Sequence, residues 1–241
     1  MPTFSGGISD LRTDWHKTSI LSNYTKVIIM FIEIPANKRS ISKRKPVFGV
    51  GINDADYIVC PLINGKQAPC PFYKRWHCMI KRCYSVNYQE SSPTYKECTV
   101  CDEWLTFSNF KRWMKRQEWE GLELDKDILQ QGNKVYSPEM CIFVTGKINS
   151  LLISQDGDHK SPAQGVSLHE RYGKYHARCR KNGSRVSLGY FDTKEEASAA
   201  YKSFKYKLIL DIALLQSEPL RSALIKYKIK DRADTKDYYV K

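Results

Sequence analysis

Asp125, Asp127 and Asn149 have the residue types from which a metal-assisted phosphodiester hydrolase could be built. Carboxylate and amide oxygens are hard donors that suit magnesium or manganese, and a cation held by few of them keeps part of its water shell. Lys126 lies between the two aspartates, whose negative charges favour its protonated form. The elements that must position these residues are legible nearby. Leu122 to Leu129 alternates apolar and polar residues, with Leu122, Leu124 and Ile128 marking one face of a strand. Gln130 to Ser137 is polar, and its Gly132-Asn133 step suits a turn. Cys141 to Val144 reads as a short strand, and Thr145 as the N-cap of a helix carrying Asn149. Strand, turn, strand, helix is an outline in which oxygen ligands from strand and helix converge on one cation.

The residues LDKD (124–127), NKVYSPEMC (133–141) and FVTGKIN (143–149) resemble the HNH nucleases, in particular phage-encoded homing endonucleases. RWHCMIKRCYS (75–85) and CDEWLTFSNFKRWM (101–114) are similar to the region preceding that motif, so the resemblance covers roughly residues 72–152. It implies an α+β fold with a ββα-metal (HNH, His-Me finger) core, hydrolysing DNA with Mg2+ or Mn2+. The carried-over site is Asp125 and Asn149 on the metal, with Lys126 and Asp127 beside them as the rest of the catalytic set. The chain departs from the family in two places. Lys126 stands where the family has its general-base His, and Met140 stands near the place of the Asn that braces the hairpin. Either Asp127 or water on the metal then takes the base role, or the site is weak or dead.

A formal net charge of +13 and a pI near 9.3 point to a polyanionic partner, with nucleic acid the default. Aromatic residues make up 12% of the chain, enough for real cores rather than a disordered basic tail. No apolar stretch is long enough to span a bilayer, and the start has no basic-then-apolar signal pattern. The expected setting is therefore the cytoplasm, of a bacterial host if the chain is phage-encoded. Residues 1–23 read as irregular, Lys26 to Ile34 as a buried strand, and Val47 to Val59 as one or two strands. The basic run Ala36 to Lys45 reads equally as a solvated loop or as a phosphate-contacting arm. Helices are expected over Phe72 to Tyr84 and from an N-cap near Ser108, with Trp76, Met79, Phe110 and Trp113 in the core.

A second specific signal begins at Gly165. Three short alternating strands are joined by turns at Tyr172-Gly173 and Asn182-Gly183, and Thr193 with Glu196 forms a capping box for a helix. Leu168, Ala177, Cys179, Val186 and Leu188 alternate towards that helix, leaving Ser167, His169, Arg171, Arg178, Arg180, Arg185 and Ser187 on the other face. From Gly165 to Lys207 there are ten Lys or Arg against four Asp or Glu, which favours an anionic partner. Gly165-Val166, Gly173-Lys174-Tyr175, Arg178, Arg180 and Leu188-Gly189 through Asp192-Thr193 resemble the ethylene-response-factor (APETALA-type) DNA-binding domain. The resemblance implies that the sheet face, Lys174 included, enters the major groove of double-stranded DNA. Two tryptophan positions of the family are filled differently here, by Arg171 or Tyr172 and by Ser187, so no target sequence carries over.

Eight cysteines in a cytosolic setting read mostly as buried thiols. Cys98 and Cys101 form a CxxC that Cys83 or Cys141 could complete as structural Zn2+, but a second closely spaced pair is lacking. The five histidines are scattered, with no HxxxH pair. The expected organisation is a β-rich segment over 1–60, the HNH-like domain over 61–153, a linker over 154–164, the DNA-binding domain over 165–215 and a tail over 216–241. The expected protein is a monomeric endonuclease or nickase on double-stranded DNA. Its alternative is a non-enzymatic, sequence-specific DNA-binding protein or regulator that keeps the HNH core as scaffold.

Overall fold

The computed structural model describes residues 31–152 and 163–229. Residues 1–23, most of the strand expected from Lys26, most of the linker and the last residues of the tail lie outside them. The chain divides into two compact units, Met1–Ile32 and Glu33–Lys241, and all the described secondary structure is in the second. That unit is mixed α+β. None of the described helices is long and apolar enough to cross a membrane.

The basic run after Ala36 opens as a short exposed helix rather than a loop. Asn37 caps helix α1 (Lys38–Ser42) by accepting from the Ser40 amide at 2.7 Å. Arg44 donates to the carbonyls of Asn53, Ala55 and Tyr57. One guanidinium thus satisfies backbone acceptors that a strand ladder would otherwise serve, each bond worth about 1.5–3 kcal/mol. The strands expected in Val47 to Val59 are accordingly reduced to isolated bridges, Val47 with Gly51, Ile52 with Thr106 and Pro35 with Tyr57.

A short hairpin, β1 (Leu62–Ile63) and β2 (Lys66–Gln67), leads into α2 (Pro71–Tyr84), which buries Trp76, Met79, Ile80 and Cys83 at helical spacing. Helix α3 (Val86–Ser91), strand β3 (Thr99–Val100), α4 (Asp102–Leu105) and α5 (Phe107–Met114) follow. Thr106, not Ser108, occupies the N-cap of α5, which buries Phe107, Phe110 and Met114. Trp76 donates its indole N–H to the Trp104 carbonyl at 2.6 Å, so its ring is buried with that donor satisfied. Trp113 is only half-buried and stacks on Phe143 at 5.7 Å.

Next come β4 (Glu123–Asp125), β5 (Val135–Tyr136), β6 (Ile142–Val144) and α6 (Gly146–Leu152). β4 and β6 pair antiparallel, Glu123 opposite Val144 and Asp125 opposite Ile142, while β5 leaves to pair in parallel with β3. The C-terminal sheet has the order β7 (Val166–His169), β8 (Lys174–Lys181), β9 (Ser184–Phe191), followed by α7 (Lys194–Ala213) and α8 (Leu220–Ile225). The Asn182-Gly183 turn has positive φ at both residues, and both bonds of the Thr193/Glu196 capping box are made. Gly165 is required where it stands: its φ is +70°, and a Cβ there would lie 2.2 Å from the Tyr201 ring.

Helix α7 packs against both the C-terminal sheet and the β4–β6–α6 segment. At 20 residues it is about 30 Å long, more than the small sheet covers. Its first turns put Ala197 into a core with Ala163, Val166 and Ala177 of the sheet. Its last turns put Ile209 and Ala213 into another core, with Ile128, Val144, Ile148 and Leu152 around the β4–β6–α6 segment and Leu220 and Leu224 of α8. Residues 216–229 are therefore packed structure rather than tail. Ile209, fully buried at this junction, gives a direct test. Ile209→Ala should cost about 2–5 kcal/mol and lower a single unfolding transition reported alike by Trp fluorescence and by sheet circular dichroism. Two separated transitions would contradict the shared core.

Candidate functional site

Asp125 closes β4. Its Oδ1 accepts from the amides of Asp127 at 2.8 Å and Ile128 at 2.9 Å. This local turn ends the strand four residues earlier than the alternation predicts, and Ile128 reaches the core through the turn instead. Burial and then the negative charge of Asp127 push the Asp125 carboxyl up to about 6, against the lowering effect of the two amides.

Lys126 is 9% exposed, with Nζ 3.1 Å from the Asn133 carbonyl and 3.4 Å from Asp127 Oδ2. Burial pulls its pKa down, but the negative charges of Asp127 and then Asp125 outweigh it and the net shift is upward. Lys126 is thus a held ammonium, unable to accept a proton. The brace expected near Met140 is supplied by Asn133. Its Nδ2 donates to the carbonyls of Lys126 and Val135, both at 2.7 Å, and its Oδ1 accepts from the Val135 amide at 3.2 Å. Met140 donates its backbone amide to the Ser137 carbonyl at 3.3 Å. The Gly132-Asn133 step carried this signal and was read only as a turn.

Thr145 caps α6, accepting through Oγ1 from the Ile148 amide at 3.3 Å. Asn149, one turn in, donates Nδ2 to Glu123 Oε2, which leaves its own Oδ1 as an acceptor. Glu123 and Asp125 share one face of β4, with Leu124 buried on the other. A Cβ at Gly146 would come within 3.1 Å of Glu123 Oε1, so glycine there lets the helix close on the strand. Glu123 was missed by sequence reasoning, although period-two alternation places it beside Asp125. The strand residue that Asn149 contacts is thus Glu123.

Among the described residues no three His, Cys, Asp or Glu side chains group as a metal site. Cys98 is buried and Cys101 partly so, and burial raises the thiol pKa of both, so neither has thiolate character. The end of β4 offers the Asp125 carboxylate and Asp127, half exposed at 48%, while the Asn149 amide lies against Glu123 at the start of the strand. Hard oxygens in such small number would suit a hydrated magnesium rather than a caged ion.

On the C-terminal sheet a register shift between Ala177 and Arg178 decides which β9 residues face outward. Arg178 pairs with Ser187 and Arg180 with Arg185, while beyond the shift His176 pairs with Tyr190. Ser167, His169, Lys174, His176, Arg178, Arg180, Arg185, Ser187 and Tyr190 therefore share the face away from α7. Arg178 donates to Ser167 Oγ at 3.2 Å, and His176 Nε2 lies 2.8 Å from Ser187 Oγ. Tyr190 stacks on His176 at 4.2 Å, and His169 stacks on Tyr172 at 4.6 Å. Sequence reasoning missed His176 and Tyr190. Alternation along β8 would have found the first, but the bulge hid the second.

Two expectations on this sheet need correction. Arg171 lies in the β7–β8 turn over the Tyr172 ring, beyond the strand face. Leu168, expected against the helix, is 50% exposed. Lys174 is ion-paired with Asp192 at 3.0 Å in an exposed position, a weak bond that a phosphate could displace. No protein-family model, curated protein or solved structure matches this chain.

Proposed function

We propose that the protein is a divalent-metal-dependent DNA endonuclease or nickase of the HNH type, whose C-terminal sheet selects the site in double-stranded DNA. The observation that supports this reading best is the state of Asp125. A carboxylate held half out of water beside a second one is costly, and a divalent cation would relieve it. Asp125 and Asn149 would hold that cation, with Glu123 orienting the Asn149 amide through the bond to Nδ2. A magnesium ion there would neutralise charge on the scissile phosphate. Asp127, half exposed next to it, would take a proton from attacking water. Lys126 keeps its charge and fixes the turn through Asn133.

The second reading, a non-enzymatic DNA-binding protein, is favoured by one observation: no histidine stands at the end of β4, and Lys126 is tied down there. Supercoiled plasmid separates the two. With Mg2+ or Mn2+ the protein should convert it to nicked or linear form, and a chelator should stop the reaction. Tight duplex binding without any cleavage in either metal would leave only the second reading.

A further inference from the structure

The segment that follows α8, Lys226 to Ile229, ties together the two arms of the candidate cleavage site. Gln131 lies in the loop that follows Asp125 and Asp127. Its side chain pairs with the backbone of Lys228 as a strand neighbour would, Nε2 donating to the Lys228 carbonyl at 2.7 Å and Oε1 accepting from its amide at 3.1 Å. Tyr227 donates its hydroxyl to the Leu152 carbonyl at 2.9 Å, at the end of the helix that carries Asn149. The Tyr227 ring and Ile229 also pack against the cluster that contains Ile128 and Ile148. Asp127 and Asp125 act electrostatically on the Tyr227 phenol, whose pKa is raised first by burial and then by those charges. The segment is thus fixed to the acidic loop on one side and to α6 on the other.

With Tyr227 turned inward, Lys228 is exposed and makes no ion pair among the described residues. Lys126, the nearest cation in sequence to the site, is buried and already bound to Asn133 and Asp127. A polyanionic backbone approaching Asp125 and Asp127 needs a free cation close by to offset repulsion, and Lys126 does not offer one. We infer that residues 226–229 form one wall of the DNA-cleavage cleft and that Lys228, positioned by the Gln131 clamp, contacts a backbone phosphate of the DNA beside the scissile bond. This rests on the DNA-cleaving reading above and adds a phosphate-binding and positioning element to it.

The test uses the full chain, a short duplex and a chelator, so that binding is read without cleavage. Lys228→Ala should weaken binding about three- to tenfold at low salt and reduce the slope of log affinity against log salt by about one phosphate contact. Lys228→Arg should restore both, and Lys228→Glu should weaken binding further. Gln131→Ala should reproduce part of the Lys228→Ala loss with little change in unfolding midpoint, since its clamp is exposed. In the plasmid reaction with Mg2+, the Lys228→Ala effect should fall on KM more than on kcat. Wild-type affinity and salt slope in Lys228→Glu would overturn the inference, whether or not the protein cleaves. Absence of cleavage with the Lys228 binding effects intact would instead overturn the nuclease reading and with it the cleavage cleft, leaving Lys228 as a phosphate contact only.

Discussion

Asp125→Asn is expected to abolish cleavage and, in metal-free buffer, to make the protein harder to unfold. The asparagine oxygen can still accept from the amides of Asp127 and Ile128, so the turn that ends β4 survives. What disappears is the charge that a cation needs, and the loss should be on the order of a thousandfold or more in rate. The stability gain follows from the sign of the pKa shift. The Asp125 carboxyl titrates near 6 in the folded protein, above its ordinary value of 3.8. Its protonated form therefore favours the fold fully below about pH 4, and that contribution is lost as pH rises through 6. A shift of this size corresponds to about 2–3 kcal/mol at neutral pH. Unfolding midpoints of wild type and Asp125→Asn should therefore coincide near pH 4 and separate above pH 6, the variant higher. Adding Mg2+ should raise only the wild type. A variant that still cuts DNA would remove Asp125 from the site.

Replacing Arg178, Arg180 and Arg185 together by alanine is expected to cost duplex affinity on the order of a thousandfold, with the fold intact. The three side chains are exposed on the strand face away from α7, and Arg180 and Arg185 sit opposite each other across β8 and β9. Each could read a guanine edge for about 1–3 kcal/mol where geometry allows two bonds. Arg180→Ala alone should change sequence preference. Lys181→Ala, at the end of the strand, should weaken all sequences alike and flatten the salt dependence. Binding titrations at two salt concentrations on a small panel of duplexes distinguish these outcomes. Unchanged affinity in the triple variant would remove the sheet from DNA recognition.

The C-terminal sheet was the most legible part of the chain because its signals are local. Asn182-Gly183 and the Thr193/Glu196 box each specify their own backbone, and alternation sets the faces between them. The bulge opposite Ala177 and Arg178 breaks that alternation for reasons of pairing, so Tyr190 could not be placed from sequence. The β4 site was legible in residue type but not in its contacts. The strand ends at Asp125 because a side chain captures the backbone, and Asn133 braces the loop because three carbonyl and amide groups meet around it. Such choices depend on which buried group lacks a partner, and hydropathy periods do not report that. The same holds for Arg44, a basic residue in a basic run that serves three distant carbonyls. Long-range packing was least legible. Nothing in the period of α7 shows that Ile209 and Ala213 meet Ile148 and Leu152 rather than solvent or a partner.

In the proposed function Asp125 and Asn149 hold the cation that cuts DNA. Anomalous diffraction from crystals of the wild-type protein with manganese and a short duplex tests it most directly. One manganese peak is expected within coordination distance of an Asp125 carboxylate oxygen and the Asn149 Oδ1, with a backbone phosphate completing its shell. A duplex seated on the sheet with no manganese at these two residues, or with manganese held elsewhere at the scissile phosphate, would contradict it.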